Sequence, residues 1–403
     1  MQRMPIRVVG EVMFARVLPG ALNLLVIILV GRYLSAVEYG QFSLLLATIT
    51  LFVSVVIGPI EQAIVPLHAR QALAEGKGSF EGQLLGAIVF IVGVLGILTL
   101  GFVLLGLVQP AWLLLFLSSS FSRVFQPILR ARLQFWSYGL AEIMKAAVAL
   151  VFVVLFLRYT PDASTAVLLY AIGLFTGTVV GWILAGFPLP RLPNRAFFKN
   201  VIPVGTGLTS STLAEALLFV GARYVIMLFG SPQFLGVFSF ALDLAQRSVG
   251  VMINIASFAI IPRAYVKSAQ GDDRVFRKML VRGALTAGGM SLIVFTGIMG
   301  LEYFGIIAQY LGDGFSEFAF IAVSAAVVIN RLKKLSVDPV LVSRGIIRAI
   351  PMAYIMVGPF SLLLISGALL LDSEALVLAI YAISYFLVAL LTLAACRSVT
   401  RMT

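Results

Sequence analysis

Apolar runs of about 20 residues, the length an α-helix needs to cross a bilayer, recur from end to end of this chain. Lipid offers no partner to backbone N–H and C=O groups, so such runs fold either as helices or as a closed barrel. These runs are continuously apolar and do not alternate, which excludes the barrel. Apolar residues make up 61% of the chain and charged residues 11%, against about 25% charged in soluble domains. No room is left for a soluble domain. The chain reads as an all-α integral membrane protein.

Hydropathy places twelve helices at 8–31, 41–66, 83–108, 110–122, 139–157, 165–187, 201–229, 235–262, 282–301, 316–331, 348–371 and 375–396. With the N-terminus in the cytoplasm, 23 of the 29 lysines and arginines fall in the tails and loops of that side. Arg32 and Arg158 lie opposite, and Arg16, Lys145, Arg223 and Arg247 lie within helices. A wrong helix count would scramble this asymmetry, so the positive-inside rule supports twelve spans with both termini cytoplasmic. The net charge of +12 is then mostly topology. The clusters Arg274–Lys278 and Arg331–Lys334 are expected against anionic lipid headgroups. No basic face with stacking or base-reading residues lies outside the membrane, and nucleic acid is not an expected partner. Arg3 and Arg7 before an apolar run imitate a signal peptide, but that run leads directly into a repeated stretch, and its cleavage would leave one half a helix short.

The stretch is Ser35–Pro66. Shifted by 196 positions it meets Ser231–Pro262 with 11 identities over 32 positions and no gap. The tetrad Gly40-x-Phe42-Ser43 recurs as Gly236-x-Phe238-Ser239, and Pro66 as Pro262. An offset near half the chain length implies two related halves. The expected organisation is a six-helix bundle at 1–187, a cytoplasmic linker at 188–200 and a second six-helix bundle at 201–403. Pro188, Pro190 and Pro193 make the linker extended and semi-rigid. Six helices return the chain to its starting side, so the expected relation is a pseudo-two-fold along the membrane normal.

Charged groups inside a bilayer cost about 2.5–3.5 kcal/mol each on insertion scales and are therefore functional candidates. The basic set is Arg16, Lys145, Arg223 and Arg247, and the acidic set includes Glu11, Glu61, Glu142, Glu215 and Asp243. Glu142 and Lys145 stand at i,i+3, and Asp243 and Arg247 at i,i+4. Helix-local ion pairing is one reading of these spacings. The other is a hydrated cavity in which Arg16, Arg223, Arg247 and Lys145 meet an anionic substrate, phosphate being the natural match for arginine. Glu11, Asp243 and Glu142 would then hold a coupling cation, H⁺ or Na⁺. Pro19–Gly20 and Gly58–Pro59 read either as hinges or as kinks of packed helices.

Other chemistries lack their residues. No G-x-x-x-x-G-K-[ST] segment and no nucleophile–base constellation occurs in the chain, so it reads as a non-enzyme without a cofactor. Cys396 is its single cysteine and His68 its single histidine. Neither a cysteine- nor a histidine-based metal site can be assembled from them.

The segment Gly31–Ala47, GRYLSAVEYGQFSLLLA, resembles the first loop and second helix of polysaccharide flippases, a branch of the multidrug/oligosaccharidyl-lipid/polysaccharide exporter superfamily. The resemblance rests on Arg32, Glu38, Tyr39, Gly40, Phe42 and Ser43. The halved twelve-helix plan and the stretch from Phe304–Gly305 to Gly312–Asp313 are also similar. The resemblance implies a bacterial inner-membrane transporter that moves a lipid-linked oligosaccharide, usually on undecaprenyl diphosphate, by alternating access. It also implies association with a glycan polymerase or glycosyltransferases, and by position Arg16, Arg223 and Arg247 would meet the diphosphate. A cation-coupled exporter of small amphipathic molecules and a non-transporting scaffold in glycan assembly are the alternatives.

Overall fold

The computed structural model describes residues 6–74, 77–106, 108–132, 134–186, 189–304, 315–344 and 346–400. Among these there is no strand. In chain order the helices are α1 (Ile6–Tyr33), α2 (Ala36–Ala74), α3 (Lys77–Leu104), α4 (Pro110–Ala131) and α5 (Phe135–Phe152), the last extended by a π-helical turn at Val153–Leu157. They continue as α6 (Ala163–Leu184), α7 (Arg195–Phe229), α8 (Pro232–Arg247), α9 (Val249–Ala269) and α10 (Asp273–Tyr303). The last are α11 (Glu317–Ser336), the short α12 (Asp338–Ser343), α13 (Ala349–Leu370) and α14 (Glu374–Thr400).

Eleven helical stretches among the described residues are long and apolar enough to cross a membrane, with α8 and α9 counted as one. The twelfth is α11, whose Arg331, Lys333 and Lys334 lower its hydropathy. It packs against α8, α9, α10 and α14, where two of those charges find acidic partners. The stretch from Gly305 to Asp313 lies outside the described residues.

Three helix boundaries differ from hydropathy. α4 continues to Ala131, beyond the polar stretch near 122, because Arg123 is held by Glu61 at 3.0 Å and needs no aqueous loop. α2 and α9 run past Pro66 and Pro262 to Ala74 and Ala269, since a proline in a membrane helix is tolerated where neighbours satisfy the freed backbone groups. The span expected as one helix at 235–262 is instead broken at Ser248 (φ −101°, ψ −81°). Ser248 is buried, and its hydroxyl donates to the Leu244 carbonyl at 2.6 Å, so the break is shielded from lipid as irregular backbone at membrane depth must be.

The chain divides into two compact units. The first comprises 1–33 and 45–213, and the second 34–44 and 214–403. α2 and α7 are therefore each shared, α2 giving its opening turns and α7 its closing half to the second unit. In the first unit α1 packs on α5, α4 on α5 and α6, and α3 on α4, around Ala15, Leu85, Phe125, Leu129, Tyr138 and Ala185. The proline-rich connector, described from residue 189, lies on α3, where the Arg191 N–H donates to the Gly82 carbonyl at 2.8 Å. In the second unit α9 packs on α10, α13 on α14, and α11 occupies the middle of the remainder.

The sequence repeat recurs as a repeat of helix ends. α1 and α7 end at Tyr33 and Phe229, α2 and α8 begin at Ala36 and Pro232, and α3 and α10 begin at Lys77 and Asp273, each pair 196 apart. The first identity in the repeat is a helix cap. The Ser35 hydroxyl accepts from the Glu38 N–H at 3.2 Å, and the Ser231 hydroxyl accepts from the Phe234 N–H at 3.0 Å. Serine at this position satisfies one of the orphan N–H groups of a helix start.

Candidate functional site

Within the second unit the repeated tetrads meet. A Cβ on Gly40 would stand 2.9 Å from the Gly236 nitrogen, and one on Gly236 would overlap the Ala36 carbonyl. Two helices approach this closely only where both lack side chains, as in small-residue crossings of membrane helices. Phe42 and Phe238 are both fully buried beside this crossing. One turn on, Ser43 and Ser239 face the same guanidinium. Arg223 Nη2 donates to Ser43 Oγ at 3.1 Å, and Nε donates to Ser239 Oγ at 3.4 Å.

Asp243 completes this network. Its Oδ1 accepts from Arg223 Nη2 at 2.8 Å, and its Oδ2 accepts from the hydroxyls of Ser43 at 2.7 Å and Tyr39 at 3.0 Å. Arg223 is 1% exposed, with its guanidinium 4.4 Å from the centroid of the Phe219 ring. The expected helix-local pairing of Asp243 with Arg247 thus gives way to an ion pair between α8 and α7. Arg247 is half-buried at the last residue of α8, at the break, and acts electrostatically on Tyr39.

A second polar cluster in this unit centres on Glu215 of α7. Its Oε1 accepts from the Asn330 amide at 2.7 Å, its Oε2 is paired with Lys334, and the Tyr354 hydroxyl donates to Asn330. Lys333 is bound by both oxygens of Asp338 at 2.9 Å, with its ammonium 5.0 Å from the centroid of the Tyr354 ring. The expectation that Arg331–Lys334 lies against lipid headgroups is therefore corrected for two of its residues. Lys333 is buried and Lys334 is part-exposed, and part-buried carboxylates on neighbouring segments neutralise both.

The first unit carries its own intramembrane cluster. Arg16 on α1 is part-exposed and stands 4.9 Å from the centroid of the Tyr138 ring on α5. One turn along α5, Glu142 is paired with Lys145 at 2.6 Å and also accepts from the Gln126 amide. The i,i+3 spacing thus does form an ion pair. Arg130 lies within electrostatic range of Tyr138, Arg16, Glu61 and Glu142. Arg123 donates to Glu61 and to Ser54 Oγ at 2.9 Å. Among the described residues Arg16, Arg123, Arg130 and Lys145 stand against Glu61 and Glu142, an excess of positive charge.

The expected site residues therefore separate. Arg16, Lys145 and Glu142 fall in one cluster of the first unit, and Arg223, Arg247 and Asp243 in one of the second. Arg223 is enclosed on all sides and offers no access to a substrate in this structure. Asp243 and Glu142, expected to hold a coupling cation, are each already bonded to a fixed cationic side chain. The side chain of Glu11 lies outside the described residues. α1 stays helical through Pro19 and Gly20, and the Pro19 carbonyl accepts from Asn23 Nδ2 at 2.8 Å. Gly58 and Pro59 sit where α2 crosses α7. A Cβ on Gly205 would overlap the Pro59 carbonyl, and one on Gly58 would stand 2.9 Å from Thr209 Cγ2. Sequence reasoning missed Arg123 and Arg130, which had been given to a loop. The signal was the polar face Ser118, Ser122 and Gln126, which keeps helical spacing through Arg130.

Twelve membrane helices carrying buried charge in each of two units make up a multi-pass membrane fold. Solved structures share that fold. An inward-facing MATE family transporter of the MOP superfamily matches with a TM-score of 0.66 at 13% identity, over 93% of this chain and 94% of its own. The lipid II flippase MurJ in an inward closed conformation matches with a TM-score of 0.63 at 16% identity, over 98% and 88%. A MATE structure in the straight conformation gives 0.63 at 14% identity, over 99% and 96%. Comparison with curated protein sequences gives no match. The model of the polysaccharide biosynthesis protein family matches residues 12–265, and the chain belongs to that family.

Proposed function

We propose that the protein flips a lipid-diphosphate-linked oligosaccharide across a bacterial inner membrane by alternating access, for surface polysaccharide biosynthesis. The observation that carries this reading is the positively charged cluster in the first unit, with Arg16 part-exposed beside Tyr138. A guanidinium in a low-dielectric setting favours an anion with several acceptor oxygens, which a diphosphate supplies. The family description and the lipid II flippase among the structural neighbours support it. Arg16 and Lys145 take the role of substrate contacts, with Glu142 moderating their charge. A glycan polymerase or glycosyltransferases are the functional partners, and H⁺ or Na⁺ is the coupling cation where coupling exists.

The MATE neighbours favour a second reading, export of small amphipathic cations. Such a substrate calls for an excess of acidic groups, opposite to the cluster around Arg16. The test is the pool of lipid-linked saccharide in cells lacking the protein. Accumulation of one diphosphate-linked glycan on the cytoplasmic leaflet, with loss of its surface polymer, supports the flippase. Arg16→Ala is expected to reproduce that accumulation at normal protein level. An unchanged pool in the deletion strain, with redundant flippases removed, would reject the flippase reading in favour of the exporter.

A further inference from the structure

We infer that Arg331 and Gln246 form a phosphate-binding subsite in the second unit, distinct from the cluster around Arg16. Both line a small recess, together with Glu215, Asn330, Tyr381 and Tyr385.

Charge balance points to the sign of the ligand. The two Glu215 oxygens are taken by the Asn330 amide and the Lys334 ammonium. Lys333 is neutralised by Asp338. Arg331 is the cation left over. Its guanidinium is half-buried and forms neither a hydrogen bond nor an ion pair with any described residue, although Glu215 feels its field. The Gln246 side chain, also half-buried, has no hydrogen-bond partner among the described residues. A guanidinium and a carboxamide N–H lining a partly enclosed space, with the nearby carboxylate paired to Lys334, are complementary to an oxyanion.

Depth supports the same assignment. Arg331, Gln246 and Glu215 each stand about 14 residues, or roughly 21 Å, from one end of α11, α8 and α7 respectively. By the distribution of basic residues those ends face outward, so the recess lies toward the cytoplasmic leaflet. A phosphate there belongs either to the headgroup of a lipid or to a free anion. Identifying it with the transported lipid rests on the flippase reading, whereas the subsite itself does not.

The test is calorimetric titration of the purified full chain in detergent with farnesyl diphosphate, farnesol and inorganic diphosphate. Farnesyl diphosphate is expected to bind and farnesol not. Arg331→Gln is expected to weaken binding at least tenfold, Arg331→Lys less because charge is kept without the planar fork, and Gln246→Leu several-fold. All three variants should keep the ligand-free melting temperature, which a purely structural arginine would lower. Binding of inorganic diphosphate with the same dependence on Arg331 identifies a free-anion site, and binding of the lipid form alone identifies a headgroup site. Wild-type affinity in Arg331→Gln, or no binding of either diphosphate to the wild type, overturns the proposal. Loss of binding in Arg331→Gln with an unchanged lipid-linked glycan pool would keep the subsite and remove its role in the flippase.

Discussion

At the scale of single residues, the repeated tetrad explains itself chemically. Gly40 and Gly236 let two helices touch, Phe42 and Phe238 fill the core, and Ser43 and Ser239 hold one buried arginine. A motif whose spacing suggests common descent is thus also a packing device, and Arg223 is its centre. Removing one partner of a buried ion pair leaves the other charge uncompensated and costs about 3–5 kcal/mol, more than the pair itself is worth. Arg223→Ala and Asp243→Ala are each expected to lower the melting temperature of the purified protein sharply. Arg223→Gln combined with Asp243→Asn should recover part of that loss, because two neutral partners can still hydrogen-bond. If the double variant melts no higher than the worse single variant, the network is not acting as a pair.

At the scale of elements, helix ends and crossings follow chemistry that hydropathy does not register. α4 keeps going because Glu61 of α2 supplies a partner for Arg123. α8 stops at Ser248, while the equivalent stretch of α2 runs on through Phe52. The two repeats have therefore diverged at the residue that follows Arg247. At the α2–α7 crossing the Gly205 position has no room for a side chain, whereas Gly289 on α10 has nothing within 4 Å of its Cβ position. Gly205→Leu is expected to abolish folded protein in fluorescence-detected size-exclusion chromatography, and Gly289→Leu to leave the elution profile unchanged. Equal tolerance of both would contradict the crossing.

At the scale of the whole molecule, α11 decides the topology, since its charge keeps it from reading as a span by composition alone. Cysteine-accessibility probes placed at Ser316 and at Arg344, in a background lacking Cys396, are expected to label from opposite sides of the membrane. A probe at Ser398 should label from the same side as Arg344. Labelling of Ser316 and Arg344 from one side would reduce the chain to eleven spans and place its termini on opposite faces.

The sequence by itself determined the membrane class and the repeat, because these depend on quantities carried along the chain. They are the length of an apolar run against bilayer thickness, the placement of lysine and arginine, and identity at a constant offset. The i,i+3 pair of Glu142 and Lys145 belongs with them, being set by one helix alone. Partners on different helices were decided only by tertiary structure. Asp243 had Arg247 one turn away but joined Arg223, and Lys333 and Lys334 had lipid within reach but turned to Asp338 and Glu215. In a medium that cannot solvate charge, an ionised group takes whichever opposite charge the packing of helices brings to it. That packing is governed by contacts such as Gly40 with Gly236, between residues far apart in the chain.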